Sequence, residues 1–264
     1  MEEKYIDIHD ESAVRWLTLC HERSRNALSS TMIAQLHSAI ESACASDAVR
    51  VIVLAARGKV FSAGHDLSEM TRQEGEDLED HRQRVGAILE RCAQLMLAIV
   101  HAPKPVIACV TGIATAAGCQ LVSACDMAIA GQSARFATPG VNVGFFCTTP
   151  LVGIGRNVSR KHAMEMALTG DMITAQRAET FGLVNQVVDD AHVVAETQVL
   201  AQKIASKSAQ GIRGGKERFY RQIDLPLEEA FEMASCAMLD AVTAGGDADE
   251  GPRAFFEKRD PRWK

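Results

Sequence analysis

The chain has 264 residues, 47% of them hydrophobic and 23% charged, with a formal net charge of −6. That length suits one main core with a smaller appended region, and the composition is that of an ordinary globular protein. With so modest a charge and no Lys or Arg run of five or more, bulk-charge binding to nucleic acid or a membrane surface is not expected. A local basic pocket for an anionic ligand remains open.

Taken in order, "YIDIHD" and "AVRWLTL" alternate and predict an antiparallel hairpin. This opening is acidic and strand-like at once, without a signal core or an Arg-rich transit pattern, so a cytoplasmic protein is expected. In "LSSTMIAQLHSAIESACASD", Met32, Leu36, Ile40 and Ala43 share a helical face, and Ser29 or Ser30 can cap it. "VRVIVLAARG" has the near-continuous apolar pattern of a strand buried on both faces of a parallel sheet. "VFSAGHDLSEM" reads as a turn entering a helix, and the charged residues 71–83 as a mobile surface segment. Helical periodicity returns over 84–100, followed by a strand at "KPVIACV", a turn and helix at "ATAAGCQLVSACD", and a strand at "MAIA". The alternation predicts an α/β fold with crossovers. After 150 the pattern is mainly helical, in "SRKHAMEMALTG", "TAQRAETFG", "AHVVAETQVLAQKIASKS" and 227–244, with a short strand at "VNQVV" and an amphipathic tail that breaks at Pro261. No apolar run approaches a membrane span.

Eight cysteines, at 20, 44, 92, 109, 119, 125, 147 and 236, form no CxxC pair and mostly lie in apolar runs. They read as small buried hydrophobes of a reducing compartment. The eight histidines lack helical pairing, so no metal is expected.

Two turns offer backbone N–H groups. Ser62-Ala63-Gly64-His65-Asp66 and Ala116-Ala117-Gly118 each precede a helix and fall at strand C-terminal ends, where α/β proteins bind ligands. Free peptide N–H groups at such points suit a developing oxyanion. Small residues there also allow tight strand–helix packing, and either reading explains one turn alone. Asp66 sits where an acidic residue stabilises a helix start, and His65 has no partner visible in sequence.

Together with "RNALSSTM", "ARFATPGVNVGFFCTTP", "ALTGDMITAQRAETFGLVNQVV" and "GPRAFFEKRDPRW", these turns make the chain resemble the enoyl-CoA hydratase/isomerase (crotonase) superfamily over almost its whole length. "SAGHDL" and "ATAAGCQLVSACD" are most similar to its branch of enoyl-CoA hydratase domain-containing proteins. The resemblance implies a crotonase-like α/β spiral of stacked ββα turns over 1–200. It also implies a C-terminal helical region, 201–264, that trimerises or forms a dimer of trimers. The implied ligand is an acyl-CoA thioester, with coenzyme A part of the substrate and no separate cofactor. Its carbonyl would take the N–H groups of His65 and Ala117, and the backbone at Ala63, Gly64, His65, Asp66 and Leu67 would hold the adenine. Arg23, and Lys258 on the C-terminal helix, are implied for the phosphates. Residues 71–100 and 140–150 would line the acyl pocket.

The resemblance also shows a departure. The family's two proton-transferring glutamates fall at Gln120 and Gly140. A primary amide holds a water but does not trade protons near neutral pH, and glycine has no side chain; losing a positioned acid or base costs about 10²–10⁴-fold. Ordinary hydration is therefore not expected. Asp66, Glu69, Asn142 and Cys147 are the polar residues nearby in sequence. The readings are an enzyme acting on an acyl-CoA through an oxyanion hole, or a non-catalytic acyl-CoA-binding or regulatory protein. A serine peptidase would need a Ser where Ala116 and Ala117 stand, and a nicotinamide dehydrogenase a GxGxxG that is absent.

Overall fold

The computed structural model describes residues 3–263. The hairpin is present: β1 (Ile6–Glu11) and β2 (Val14–Leu19) run antiparallel, Ile6 opposite Leu19. α1 (Ser30–Ala45) is capped by Ser29, whose hydroxyl accepts the Met32 N–H, and it buries Met32, Leu36, Ile40 and Ala43. β3 (Val51–Ala56) pairs parallel with β2, and β4 (Val60–Ser62) follows it. After α2 (Leu67–Met70) and α3 (Leu78–Val100) come β5 (Val106–Val110), β6 (Ile113–Thr115) and α4 (Ala117–Ala124). Next are β7 (Met127–Gly131) and β8 (Arg135–Ala137). Then come α5 (Thr148–Asn157), α6 (Arg160–Thr169), β9 (Ile173–Thr174), α7 (Ala175–Phe181) and β10 (Gln186–Val188). Four helices end the chain: α8 (Val193–Ala205), α9 (Ala209–Gln222), α10 (Leu227–Thr243) and α11 (Asp247–Phe256).

The strands form two sheets, ordered β1-β2-β3-β5-β7-β10 and β4-β6-β8-β9. β3, β5 and β7 each hand the chain to a short strand of the second sheet before the next helix, and this repeat is the spiral. The apolar runs are continuous because the larger sheet is covered twice. Ile52 and Leu54 face the main core with α1 and α3, while Val51, Val53 and Ile107 pack with Val193 and Ala201 of α8.

Several expectations change here. Residues 71–83 include the start of α3, which Asp77 caps through the Asp80 N–H. To the predicted elements the structure adds the short strands β4, β6 and β8 and the helices α5 and α9. α9 buries no side chain outright and is held by a polar latch. Lys216 Nζ lies 2.6 Å from Asp126 Oδ2, and the Tyr220 hydroxyl donates to Asp126 Oδ1 at 2.9 Å. Lys258 lies beyond α11, not on it, in a turn with φ +53°. Residue 200 falls inside α8. Among the described residues no helix is long and apolar enough to cross a membrane.

Candidate active site

The first turn leaves β4 and is clamped to the segment before α1. Ala63 N–H donates to the Arg25 carbonyl (3.1 Å), Leu28 N–H to the Gly64 carbonyl (2.7 Å) and Asp66 N–H to the Leu28 carbonyl (3.4 Å). His65 is thus the bridged residue opposite Leu28, and in a parallel bridge that residue's own N–H points away from the partner. Among the described residues it meets no acceptor. Gly64 takes φ +86°, which favours glycine.

The second turn is fixed as tightly. Ala116 adopts φ +49° and ψ −119°, a conformation an L-residue rarely holds, with its N–H on the Ala137 carbonyl at 2.9 Å. Ala117 opens α4, so its N–H has no intrahelical acceptor. A Cβ on Gly118 would lie 2.3 Å from the Ser62 carbonyl oxygen, so α4 packs directly on β4. A Cβ on Gly64 would lie 2.8 Å from Ala116 Cβ and 3.1 Å from Ala117 N. The two turns touch. Tight packing and free peptide donors, alternatives in sequence, occur together: the N–H groups of His65 and Ala117 stand on two turns in contact with each other.

Polar side chains gather at the same edge, because β4, β6 and β8 pair parallel with Ser62 opposite Ala114 and Thr115 opposite Ala137. Gln120, on the first turn of α4, is buried and its Oε1 meets no partner among the described residues. The Thr138 hydroxyl, one residue past β8, and His65 Nε2 share that condition. Burial pushes the His65 imidazole below its ordinary pKa and keeps it neutral at neutral pH. Thr138 went unremarked in sequence, although a hydroxyl between a strand end and Pro139 was the available signal.

Gly140 lies in the 3-10 turn Pro139–Val143. Its N–H donates to Cys147 Sγ at 3.3 Å, and its carbonyl accepts the Phe145 N–H at 2.9 Å. A Cβ there would meet Cys147 Sγ at 2.9 Å and Cys147 N at 3.2 Å. Cys147, not a positive φ, is what a side chain at 140 confronts. Burial raises the Cys147 thiol pKa, and that of Cys119 to about 12, so neither is an activated thiolate.

The remaining residues have structural partners. Asp66 caps α2, accepting the Ser68 N–H (2.9 Å) and hydroxyl (2.7 Å). Glu69 takes the Ser30 N–H (2.8 Å) and hydroxyl (2.7 Å) at the start of α1. Leu67, the first residue of α2, is exposed. Arg23, in the turn Glu22–Ser24, donates to Glu3 Oε2 (2.6 Å) and His21 Nε2 (2.7 Å). Asn142 lies against Gly170, where a Cβ would come within 3.0 Å of its Nδ2.

The family model described as enoyl-CoA hydratase/isomerase matches residues 9–264. The chain is 43% identical over 262 residues to the mouse protein named enoyl-CoA hydratase domain-containing protein 3, mitochondrial, covering 99% of this chain and 85% of the relative. Among solved structures, an enoyl-CoA hydratase from Mycobacterium smegmatis superposes with a TM-score of 0.92 at 44% identity, covering 99% of each chain. The human enoyl coenzyme A hydratase domain-containing protein 3 superposes with a TM-score of 0.93 at 42% identity, covering 98% of this chain and 100% of that one. The fold is crotonase-like. The expectation of a cytoplasmic protein is overturned, since a relative matched along nearly the whole chain carries a mitochondrial name. Free cysteines indicate a reducing environment without telling one reducing compartment from another.

Proposed function

The chain belongs to the enoyl-CoA hydratase/isomerase family, and from that premise we propose that it binds acyl-CoA thioesters and acts on them through an oxyanion hole. The donors are the N–H groups of His65 and Ala117. The carrying observation is the contact between the turns, with a Cβ on Gly64 only 3.1 Å from Ala117 N. Such a pair stabilises an enolate or a tetrahedral oxyanion, one donor being worth about 10²–10³-fold. The backbone from Ala63 to Leu67 would hold the adenine, with Arg23 and Lys258 serving the phosphates. Ordinary enoyl hydration is not the activity proposed, because Gln120 and Gly140 supply no carboxylate. The neutrality of Gln120, Thr138 and His65 favours a second reading, acyl-CoA binding without turnover.

The helices after residue 200 are proposed to assemble a trimer or a dimer of trimers. Phe219, Leu227, Phe231, Met238, Leu239 and Phe255 are all exposed in the single chain, more apolar surface than a monomer ordinarily leaves to water. Light scattering at micromolar concentration should give three or six chains, and a monomer would refute the assembly.

A panel of acyl-CoAs assayed for both binding and turnover tests the main proposal. Thioesters should bind more tightly than the matching free acids, and equal affinities would remove it. Binding of every acyl-CoA without turnover would select the second reading.

A further inference from the structure

Helix α2 is a single turn lying between the His65 donor and α3. It buries no side chain outright: Met70 packs against the main core only in part, and polar clasps hold the rest of the turn. Glu69 anchors it to Ser30. At its far end stands Arg84, on the second turn of α3. The guanidinium donates to the carbonyls of Glu69 and, at 3.0 Å, Thr71, and grips the Glu76 carboxylate side-on with bonds of 2.7 and 2.8 Å. Glu76 also takes the Gln73 N–H at 2.9 Å, and its carbonyl accepts from Arg72 Nε at 2.8 Å. Residues 69–76 are wound around one guanidinium. This geometry needs the planar fork of arginine, because a lysine ammonium cannot grip a carboxylate side-on and cap a helix end together.

We propose that Arg84 is a positioning residue for the oxyanion donor. It ties α3 to α2, and through α2's single turn to Asp66 and the His65 peptide, so contacts along α3 set that N–H's alignment. The inference rests on the reading of His65 as a donor. The lever is short: α2 is four residues long, about 6 Å at 1.5 Å per residue. A displacement of about 1 Å at a reacting centre can cost 10²-fold.

The test uses the full-length protein and para-aminocinnamoyl-CoA, whose absorption moves to the red as its carbonyl accepts stronger hydrogen bonds. The bound probe should shift to the red on the unmodified protein. Arg84→Met should lose roughly half of that shift, since one of two donors is misplaced, and bind the probe at least about tenfold more weakly. Its affinity for coenzyme A without an acyl group, which makes no use of the oxyanion donors, should fall by less than its affinity for the probe. Arg84→Lys should not rescue the shift. Glu76→Gln, which leaves the carbonyl bonds in place, should lose less, and it decides the matter if Arg84→Met does not fold. A full red shift in Arg84→Met, or in Glu76→Gln should it be the only folded variant, would overturn the inference even if the melting temperature fell. No shift in the unmodified protein would remove the oxyanion reading itself, a failure visible before any variant is made.

Discussion

The two glycine-bearing turns and the loop from Thr138 to Cys147 adjoin the same strand ends, yet they are built by opposite means. At the turns, backbone meets backbone: Gly118 lies against the Ser62 carbonyl and Gly64 against Ala116. No added atom fits there. Across from them the chemistry belongs to side chains, a buried amide at Gln120, a hydroxyl at Thr138 and a thiol at Cys147 filling the space beside Gly140. A peptide N–H survives any side-chain substitution that preserves the backbone, so the first half constrains shape, and residue identity only where a close approach demands glycine. The second half depends on identity, and one substitution can change its chemistry.

The largest expected effect comes from converting the second half. The unmodified protein should hydrate crotonyl-CoA very slowly or not at all. Gln120→Glu with Gly140→Glu should raise the rate by about 10²–10⁴-fold, well above either single change, because paired groups act as a unit. The structure adds a condition. A Cβ at 140 would stand 2.9 Å from Cys147 Sγ, so the gain should require Cys147→Ala as a third change. Hydration by the unmodified protein at about 1–10³ per second would show that other residues move the protons.

The first half can be tested by adding a single methyl. Gly118→Ala places a Cβ 2.3 Å from the Ser62 carbonyl oxygen, and the backbone on both sides must move. Denaturant unfolding should show a loss of about 3 kcal/mol or more, the upper range for overpacking. Gly155→Ala in α5, where a Cβ meets nothing within 4 Å, should instead gain about 0.5–1 kcal/mol. Equal effects at the two glycines would mean that the turns are not tightly packed.

What could be read from sequence follows the same division. Strands β3 and β5 were legible because burial on both faces writes a continuous apolar run, and α1 because Met32, Leu36, Ile40 and Ala43 keep a 3.6-residue period. β4, β6 and β8 have three residues each, too few for a period, and exist through pairing with one another. α9 was missed because a latch to Asp126 holds it in place of an apolar face. In the site, residue types marked the two turns, and the resemblance to the family singled out Gln120 and Gly140. The positive φ of Ala116, the engagement of Glu69 by Ser30 and the crowding of Gly140 by Cys147 are tertiary facts without a local signal.

A smaller effect is expected at Ala116. Its φ of +49° costs about 1–3 kcal/mol in a residue with a Cβ, and glycine would relieve that while adding about 0.4–1 kcal/mol of unfolded-state entropy. Ala116→Gly should therefore stabilise the fold by roughly 1 kcal/mol and loosen the Ala117 donor, seen as a smaller red shift of the bound probe. A clear loss of stability would mean that the strain is absent.

The smallest expected effect separates the polar clasp under the first turn from clasps elsewhere. Side-on hydrogen bonding by Arg84, then the Gln73 N–H, hold the Glu76 carboxyl down at about 2, with His81 also facing it. Glu250 is held at about 2 by Arg259 and the Arg262 N–H. For both, the folded pKa lies below the unfolded value, so between the two the unfolded chain binds more protons. Their contribution is complete above about pH 4.5 and is lost as the pH falls through about 2. Both carboxyls lie close to the surface, their side chains 12% and 17% exposed, so the effect is modest and shrinks in high salt. Glu76→Gln and Glu250→Gln should each flatten the fall of melting temperature on acidification. Only Glu76→Gln should also change the bound probe's red shift at neutral pH, because only Glu76 belongs to the strap leading to His65. If Glu250→Gln moved that shift as much, the donor turn would answer to stability in general and not to Arg84 and its partners.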